Sequence, residues 1–290
     1  MKNIKTLLEQ APLLLIASQT PRLDVELLLC YVLKKNRTCL FTHPEIELSI
    51  NEHQQFEDLL SKRALQIPVA YLTGQKEFWS LDLKVNEHTL IPRPETELLV
   101  EIIVGAGLAP DLAVLDLGTG SGAIALALAR ERPRWKISAV DYSLEALKIA
   151  KENAVKNNID NVDFFQSDWF SVFSTSEKWD VIVSNPPYLD QDDQHLLTGE
   201  IRHEPKSALV AHKNGLADFE KIIINAKNHL KSGGWLLFEH GCEQGEAVKK
   251  ILALYGYQSV KTFTDMAGLE RVTCGYNINP PKSLSPHSAQ

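Results

Sequence analysis

Apolar residues recur at helical spacing over residues 1–73: Leu7, Leu8, Leu14 and Leu15, then Leu23, Leu27, Leu28, Tyr31 and Val32, then Phe56, Leu59, Leu60 and Leu65. Pro21 and Pro44 punctuate the run, so the segment reads as a small N-terminal helical bundle. A bundle this short buries little surface per residue and leans on a neighbour or a partner. At residues 74–92 the period shortens. Phe78, Leu81, Leu83 and Val85 alternate, Asn86 and Glu87 supply a turn, and Thr89 to Ile91 return the chain, which predicts a connecting β-hairpin. Pro92-Arg93-Pro94 then stops the strand and opens a helix carrying Leu98, Leu99 and Val100.

Beyond this point short apolar runs alternate with amphipathic ones. Strands are predicted at 112–117, 136–140, 162–166, 179–184, 235–239, 258–263 and 271–276, and helices at 123–130, 143–157, 216–230 and 243–254. Such alternation over residues 93–278 gives an α/β domain with a mostly parallel sheet and helices on both faces. The last two strands, joined by a short link, form an antiparallel edge. Residues 279–290, rich in Pro and Ser, are predicted to be a disordered tail.

Composition narrows this reading. Hydrophobic residues make up 44% and charged residues 23%, the proportions of an ordinary globular protein. No apolar run reaches membrane-spanning length, and no signal peptide is read at the N-terminus. Cys30, Cys39, Cys242 and Cys274 are scattered with no zinc spacing, as expected of reduced thiols in a cytoplasmic protein. Residues 1–73 hold eight basic and eight acidic side chains, so the remainder, with 22 against 29, carries the whole net charge of −7. That balance favours a cationic small molecule or a protein substrate over stable nucleic-acid binding.

The candidate chemistry lies in two places. Asn185-Pro186-Pro187-Tyr188 follows the strand at 179–184. Two prolines cannot continue a ladder, so the chain leaves the sheet rigidly and presents a carboxamide, bare carbonyls and an aromatic ring. These suit a planar target whose N–H groups need acceptors and whose face needs stacking. The second place is Gly118-Thr119-Gly120-Ser121-Gly122, a glycine loop between a strand and a helix, where open α/β sheets bind nucleotides. Gly118, Gly120 and Ala123 also satisfy the G-x-G-x-x-A dinucleotide pattern, which leaves NAD or FAD open. Asp141 ends the next strand, where a carboxylate can take ribose hydroxyls, and Asp168-Trp169 ends the third, where a carboxylate and an indole can hold an adenine. Asp116 is expected close to a sulfonium. Three carboxylates at one edge, with no basic residue in the loop, suit a positively charged nucleoside better than a pyrophosphate, and S-adenosylmethionine uses every feature.

The chain resembles the protein-glutamine N5-methyltransferases that modify peptide chain release factors. The resemblance rests on PVAYLTGQKEFW (68–79), LIPRPETE (90–97), DLGTGSG (116–122), VSNPPY (183–188), HEP (203–205) and GWLLFEHG (234–241). It implies a Rossmann-like, seven-stranded class I S-adenosylmethionine-dependent methyltransferase domain, a helical N-terminal domain that docks the protein substrate, and an enzyme acting as a monomer in translation termination. The cofactor is expected on Asp116, Gly118, Thr119, Gly120, Ser121, Gly122, Asp141, Asp168, Trp169 and Asn185. The substrate glutamine, within a Gly-Gly-Gln loop, is expected on Asn185, Pro186, Pro187 and Tyr188, with Asn185, Pro186 and Tyr188 catalytic. Methylation of a ribosomal-protein glutamine or of a nucleic-acid base amino group are the alternatives that the same motif allows.

Overall fold

The computed structural model describes residues 3–278. The predicted disordered tail lies outside the described residues.

Helices Ile4–Leu14, Pro21–Leu33, Arg37–Thr42, Ile50–Ala64 and Val69–Thr73 form the N-terminal unit. Their ends are chemically specified. Asn3 accepts from the Thr6 N–H at 2.9 Å, and Ser49 with Glu52 closes a capping box on Ile50–Ala64. The unit has its own core of Ile4, Leu7, Val25, Leu28, Leu29, Leu40 and Phe56. Leu23, Leu27 and Tyr31, which the pattern assigned to that core, instead stay 36–40% exposed along one side of their helix. Pro21–Leu33 is leucine-rich nearly all round, so periodicity alone could not choose the inward stripe.

The hairpin is present with a different register from the expected one. β1 (Gln75–Phe78) pairs antiparallel with β2 (Leu81–Lys84), and the turn is Trp79-Ser80. Both turn residues have positive φ, +49° and +57°, the handedness that a two-residue hairpin turn demands. Neither is glycine, which is why the turn signal was missed. The Glu97 carboxylate accepts from the Trp79 N–H at 2.8 Å and Glu77 from the Ser80 N–H at 2.8 Å, which holds the strained pair in place. Thr89 to Ile91 is not a strand.

The remaining strands are β3 (Ala113–Leu117), β4 (Lys136–Asp141), β5 (Val162–Gln166), β6 (Trp179–Ser184), β7 (Leu230–Glu239), β8 (Gln258–Thr264) and β9 (Glu270–Asn277). They form one seven-stranded sheet in the order β5-β4-β3-β6-β7-β9-β8, with β9 antiparallel to both neighbours. Side chains alternate across it. Val114, Ile137, Val181, Val183 and Leu237 face helices Glu97–Gly105 and Ala123–Glu131, while Leu115, Leu117, Ile182, Leu236 and Phe238 face Ala217–Ala226 and Gly245–Leu254. The chain order reverses between β3 and β6, so a crevice opens above their carboxyl ends.

Candidate active site

Strand register assembles the site. Leu117 of β3 pairs with Ser184 of β6 and with Val140 of β4, and Ser184 pairs with Phe238 of β7. One residue further along each strand therefore brings Gly118, Asn185, Asp141 and Glu239 into a row at the carboxyl edge. The Ser184 hydroxyl donates to the Leu117 carbonyl at 2.7 Å and locks the two central strands where the row begins.

The glycine loop arches over this row. Gly118, Gly120 and Gly122 have φ of +73°, +56° and +86°, which L side chains rarely adopt. The Gly118 and Thr119 N–H groups both donate to the Val140 carbonyl at 2.9 Å, and the Gly120 N–H donates to Asp141 Oδ2 at 2.8 Å. Asp141 Oδ1 accepts from the Ser143 N–H at 2.9 Å. Each carboxylate oxygen retains a free lone pair for a ligand hydroxyl. Burial raises the Asp141 pKa, and the N–H bonds from Ser143 and Gly120 oppose that shift.

A cleft of about 230 Å³ lies between this edge and the segments that cover it. Of the residues singled out in the sequence, Gly118, Gly120, Asp141, Asp168, Trp169, Asn185 and Pro187 line it. Trp169 has φ of +51°, and its ring lies 3.6 Å from where a Cβ on Gly118 would stand, so the indole packs directly on the glycine loop.

The other expected residues are not among those that line the cleft. Asp116 is fully buried. Its Oδ2 accepts from Thr119 Oγ1 at 2.7 Å and from the Ala125 N–H at 3.2 Å, while its Oδ1 has no hydrogen-bond partner. Burial pushes its carboxyl up to about 7. Thr119 is thus engaged beneath the loop. The Ser121 carbonyl accepts from Asn153, and a Cβ on Gly122 would meet Leu126 at 3.0 Å, so close helix packing accounts for that glycine. Pro186 is buried. Tyr188 is half-buried, its phenol pKa raised first by desolvation and then by Glu239.

Asp168 is exposed, and Lys221 donates to both its oxygens at 2.8 and 3.0 Å. A second carboxylate at the cleft, Asp218, is half-buried, lies beside the Trp169 side chain and is raised in pKa chiefly by desolvation. Sequence reasoning missed Asp218, because it opens a helix far along the chain. It also missed His88, Thr89 and Leu90, which cover the cleft from the connector, and Pro205, Ser207 and Ala208 from the loop after β6. Those segments are tied down. Tyr71 donates to the Thr89 carbonyl at 2.6 Å, and Glu204 accepts from the Ile91 N–H at 3.0 Å and pairs with Arg93. His203 meets the Leu65 carbonyl at 3.2 Å and His240 meets Thr273 Oγ1 at 2.8 Å, both structural contacts.

Asn185 is the most telling polar group. Its Nδ2 donates to Thr96 Oγ1 at 3.4 Å, while its Oδ1 is buried with no partner. No group of three or more metal-ligating side chains occurs among the described residues, and no helix there is long and apolar enough to cross a membrane.

A seven-stranded sheet in this order, with a glycine loop at the tip of β3 and a carboxylate at the tip of β4, defines a class I S-adenosylmethionine-dependent methyltransferase. Residues 108–269 match the methyltransferase domain family, and residues 6–74 match the PrmC N-terminal domain family. The release factor glutamine methyltransferase of Aliivibrio fischeri is 47% identical over 275 residues, covering 94% of this chain and 97% of that protein. That of Vibrio cholerae is 50% identical over 258 residues, covering 89% and 90%. A methyltransferase from Pyrococcus furiosus shares the fold, with a TM-score of 0.52 at 19% identity over 79% of this chain and 99% of that one. The chain belongs to the release factor glutamine methyltransferases.

Proposed function

We propose that this enzyme methylates the side-chain nitrogen of the glutamine in the Gly-Gly-Gln motif of peptide chain release factors. The observation that carries the reading is Asn185, a residue of the cleft wall beside the glycine loop, whose Oδ1 is buried with no partner. Such an atom costs free energy until a donor reaches it. The N–H groups of a carboxamide are donors of the right shape. Relatives near 50% identity carrying the release-factor name support the same substrate.

S-adenosylmethionine supplies an electrophilic methyl group with a neutral thioether as leaving group. The residues present fit it: Asp141 would take the ribose hydroxyls, Trp169 would pack on the adenine, and Gly118 and Gly120 would let the backbone approach it. Asp218, beside Trp169, is a better acceptor for the adenine amino group than Asp168, whose oxygens already serve Lys221.

An amide nitrogen is a poor nucleophile because its lone pair is delocalised into the carbonyl. Donation of its two N–H groups to Asn185 Oδ1 and the Pro186 carbonyl orients it, and orientation of two reactants lowers a barrier by up to roughly 7–11 kcal/mol. The same two acceptors stabilise positive charge as it develops on nitrogen, and as the N–CH3 bond replaces the S–CH3 bond one N–H proton is lost to water. Tyr188, anchored through its carbonyl by Gln244 Nε2 at 3.0 Å, packs on the amide plane.

The test is transfer of a labelled methyl group to a purified release factor, beside a factor whose Gly-Gly-Gln glutamine is replaced by alanine. Label is expected on the first only. Asn185→Ala is expected to abolish transfer while S-adenosylmethionine still binds. Equal label on both factors would move the substrate elsewhere, and equal loss of transfer and cofactor binding would remove Asn185 from its assigned role.

A further inference from the structure

Asn185 can serve as an acceptor only if its carbonyl end faces the cleft, and a carboxamide has no steric preference between its two ends. Something behind it must decide. Two buried groups stand there. Thr96, 4% exposed, comes from the Pro92–Glu97 stretch and takes the Asn185 Nδ2 bond. Glu239, 2% exposed, follows Phe238, which pairs with Ser184 in the β6–β7 ladder, so Glu239 and Asn185 are register neighbours. Glu239 lies beside the Thr96 and Asn185 side chains, burial pushes its carboxyl up to about 7, and its Oε2 has no hydrogen-bond partner. Nothing in the methyl-transfer reading uses either residue.

The three groups form a chain with one direction. Where the Glu239 carboxyl is ionised it only accepts, so the Thr96 hydroxyl donates to it. With its proton committed, Thr96 Oγ1 can only accept from its other neighbour, and Asn185 can offer it only Nδ2. The carbonyl end is then the end left at the cleft. We propose that Thr96 and Glu239 are positioning residues that set which end of the Asn185 carboxamide faces the substrate amide. The inference rests on the methyl-transfer reading above and assigns a task to two stretches outside the Asn-Pro-Pro-Tyr motif, the Pro-Glu-Thr-Glu run and the end of β7.

Two substitutions at one position separate this role from packing. Thr96→Val keeps the shape and loses the hydroxyl; Thr96→Ser keeps the hydroxyl and loses a methyl. A positioning hydroxyl predicts that Thr96→Val lowers kcat about tenfold, the scale of one lost hydrogen bond. The release-factor KM and the S-adenosylmethionine Kd should stay within about twofold, and Thr96→Ser should remain near the parent. A packing role predicts the reverse order. Glu239→Gln, which introduces a donor where the chain needs a pure acceptor, should lower kcat in the same way.

A readout independent of turnover is the Asn185 side-chain amide signal in the nitrogen–proton spectrum, identified by its loss in Asn185→Asp. Its Nδ2 protons should exchange slowly in the parent and in Thr96→Ser, and fast in Thr96→Val. Unchanged protection in Thr96→Val, or kcat lost equally in Thr96→Ser, overturns the proposal. Correct exchange behaviour in a protein that labels no release factor would retain the orientation device and instead refute the substrate.

Discussion

At the scale of single residues, burial and hydrogen bonding decide which of several similar side chains meets a ligand. Asp116, Asp141 and Asp168 read alike in the sequence, yet one is walled in, one accepts two backbone N–H groups at the cleft, and one is paired with Lys221. Asp116 has a consequence for stability. Its folded-state pKa of about 7 lies above the unfolded value of about 3.9. Folding therefore favours the protonated form, so the group's contribution is fully present at low pH and is lost as pH rises toward 7. Asp116→Asn, which cannot ionise, should gain stability over the parent progressively between about pH 4 and 7 and hold that gain above it. Denaturant titrations across that range check this, and a constant difference at every pH would contradict it. Trp169 is tested by affinity. Trp169→Ala should weaken S-adenosylmethionine binding roughly tenfold, since an aromatic partner and its buried area are lost together. Calorimetry would place Trp169 outside the pocket if the dissociation constant did not move.

At the scale of elements, strands and helices were legible because their apolar period is strong, while turns were legible only where glycine or proline marked them. The Trp79-Ser80 turn is the clearest failure, since two L residues occupy positive φ and side-chain carboxylates hold them there. A second unmarked constraint lies beside the Asn-Pro-Pro-Tyr motif. Gly215 has φ of +78°, and a Cβ there would stand 2.1 Å from the Tyr188 carbonyl oxygen. Backbone cannot yield as a flexible side chain does. Gly215→Ala should therefore cost about 2 kcal/mol or more in stability and displace Tyr188. Thermal melts together with methyl transfer measure both effects, and a variant matching the parent in each would show that the 213–215 turn relaxes freely.

At the scale of the whole molecule, the helical unit is fastened to the loop that covers the cleft. Arg63 is 4% exposed, pairs with Asp24 at 2.8 Å inside its own unit, and reaches Glu200 at 2.5 Å across the boundary. Arg202 adds a bond to the Leu65 carbonyl at 2.8 Å, and the Leu189–Val210 bridge closes the base of the same loop. Removal of Glu200 leaves Arg63 with its buried partner, so the fold of the helical unit should survive. Glu200→Ala should raise the rate of limited proteolysis within residues 190–209 several-fold while the overall melting temperature shifts little. An unaltered cleavage pattern would show that the Arg202 and Glu204 contacts hold the loop by themselves.

The seven-stranded α/β architecture, the helical N-terminal unit and the two motifs at the strand ends are legible in the linear chain. Hydrophobic period, glycine spacing and paired prolines are local properties that survive in a linear chain. That Asp218 stands with Trp169, that Thr96 and Glu239 meet behind Asn185, and that Glu204 pins the connector follow from packing in three dimensions. Each pairs residues distant in the chain, and strand register together with burial brings them into contact. Period and composition place a residue on a face of its own element; which other element covers that face is set by packing across the whole core.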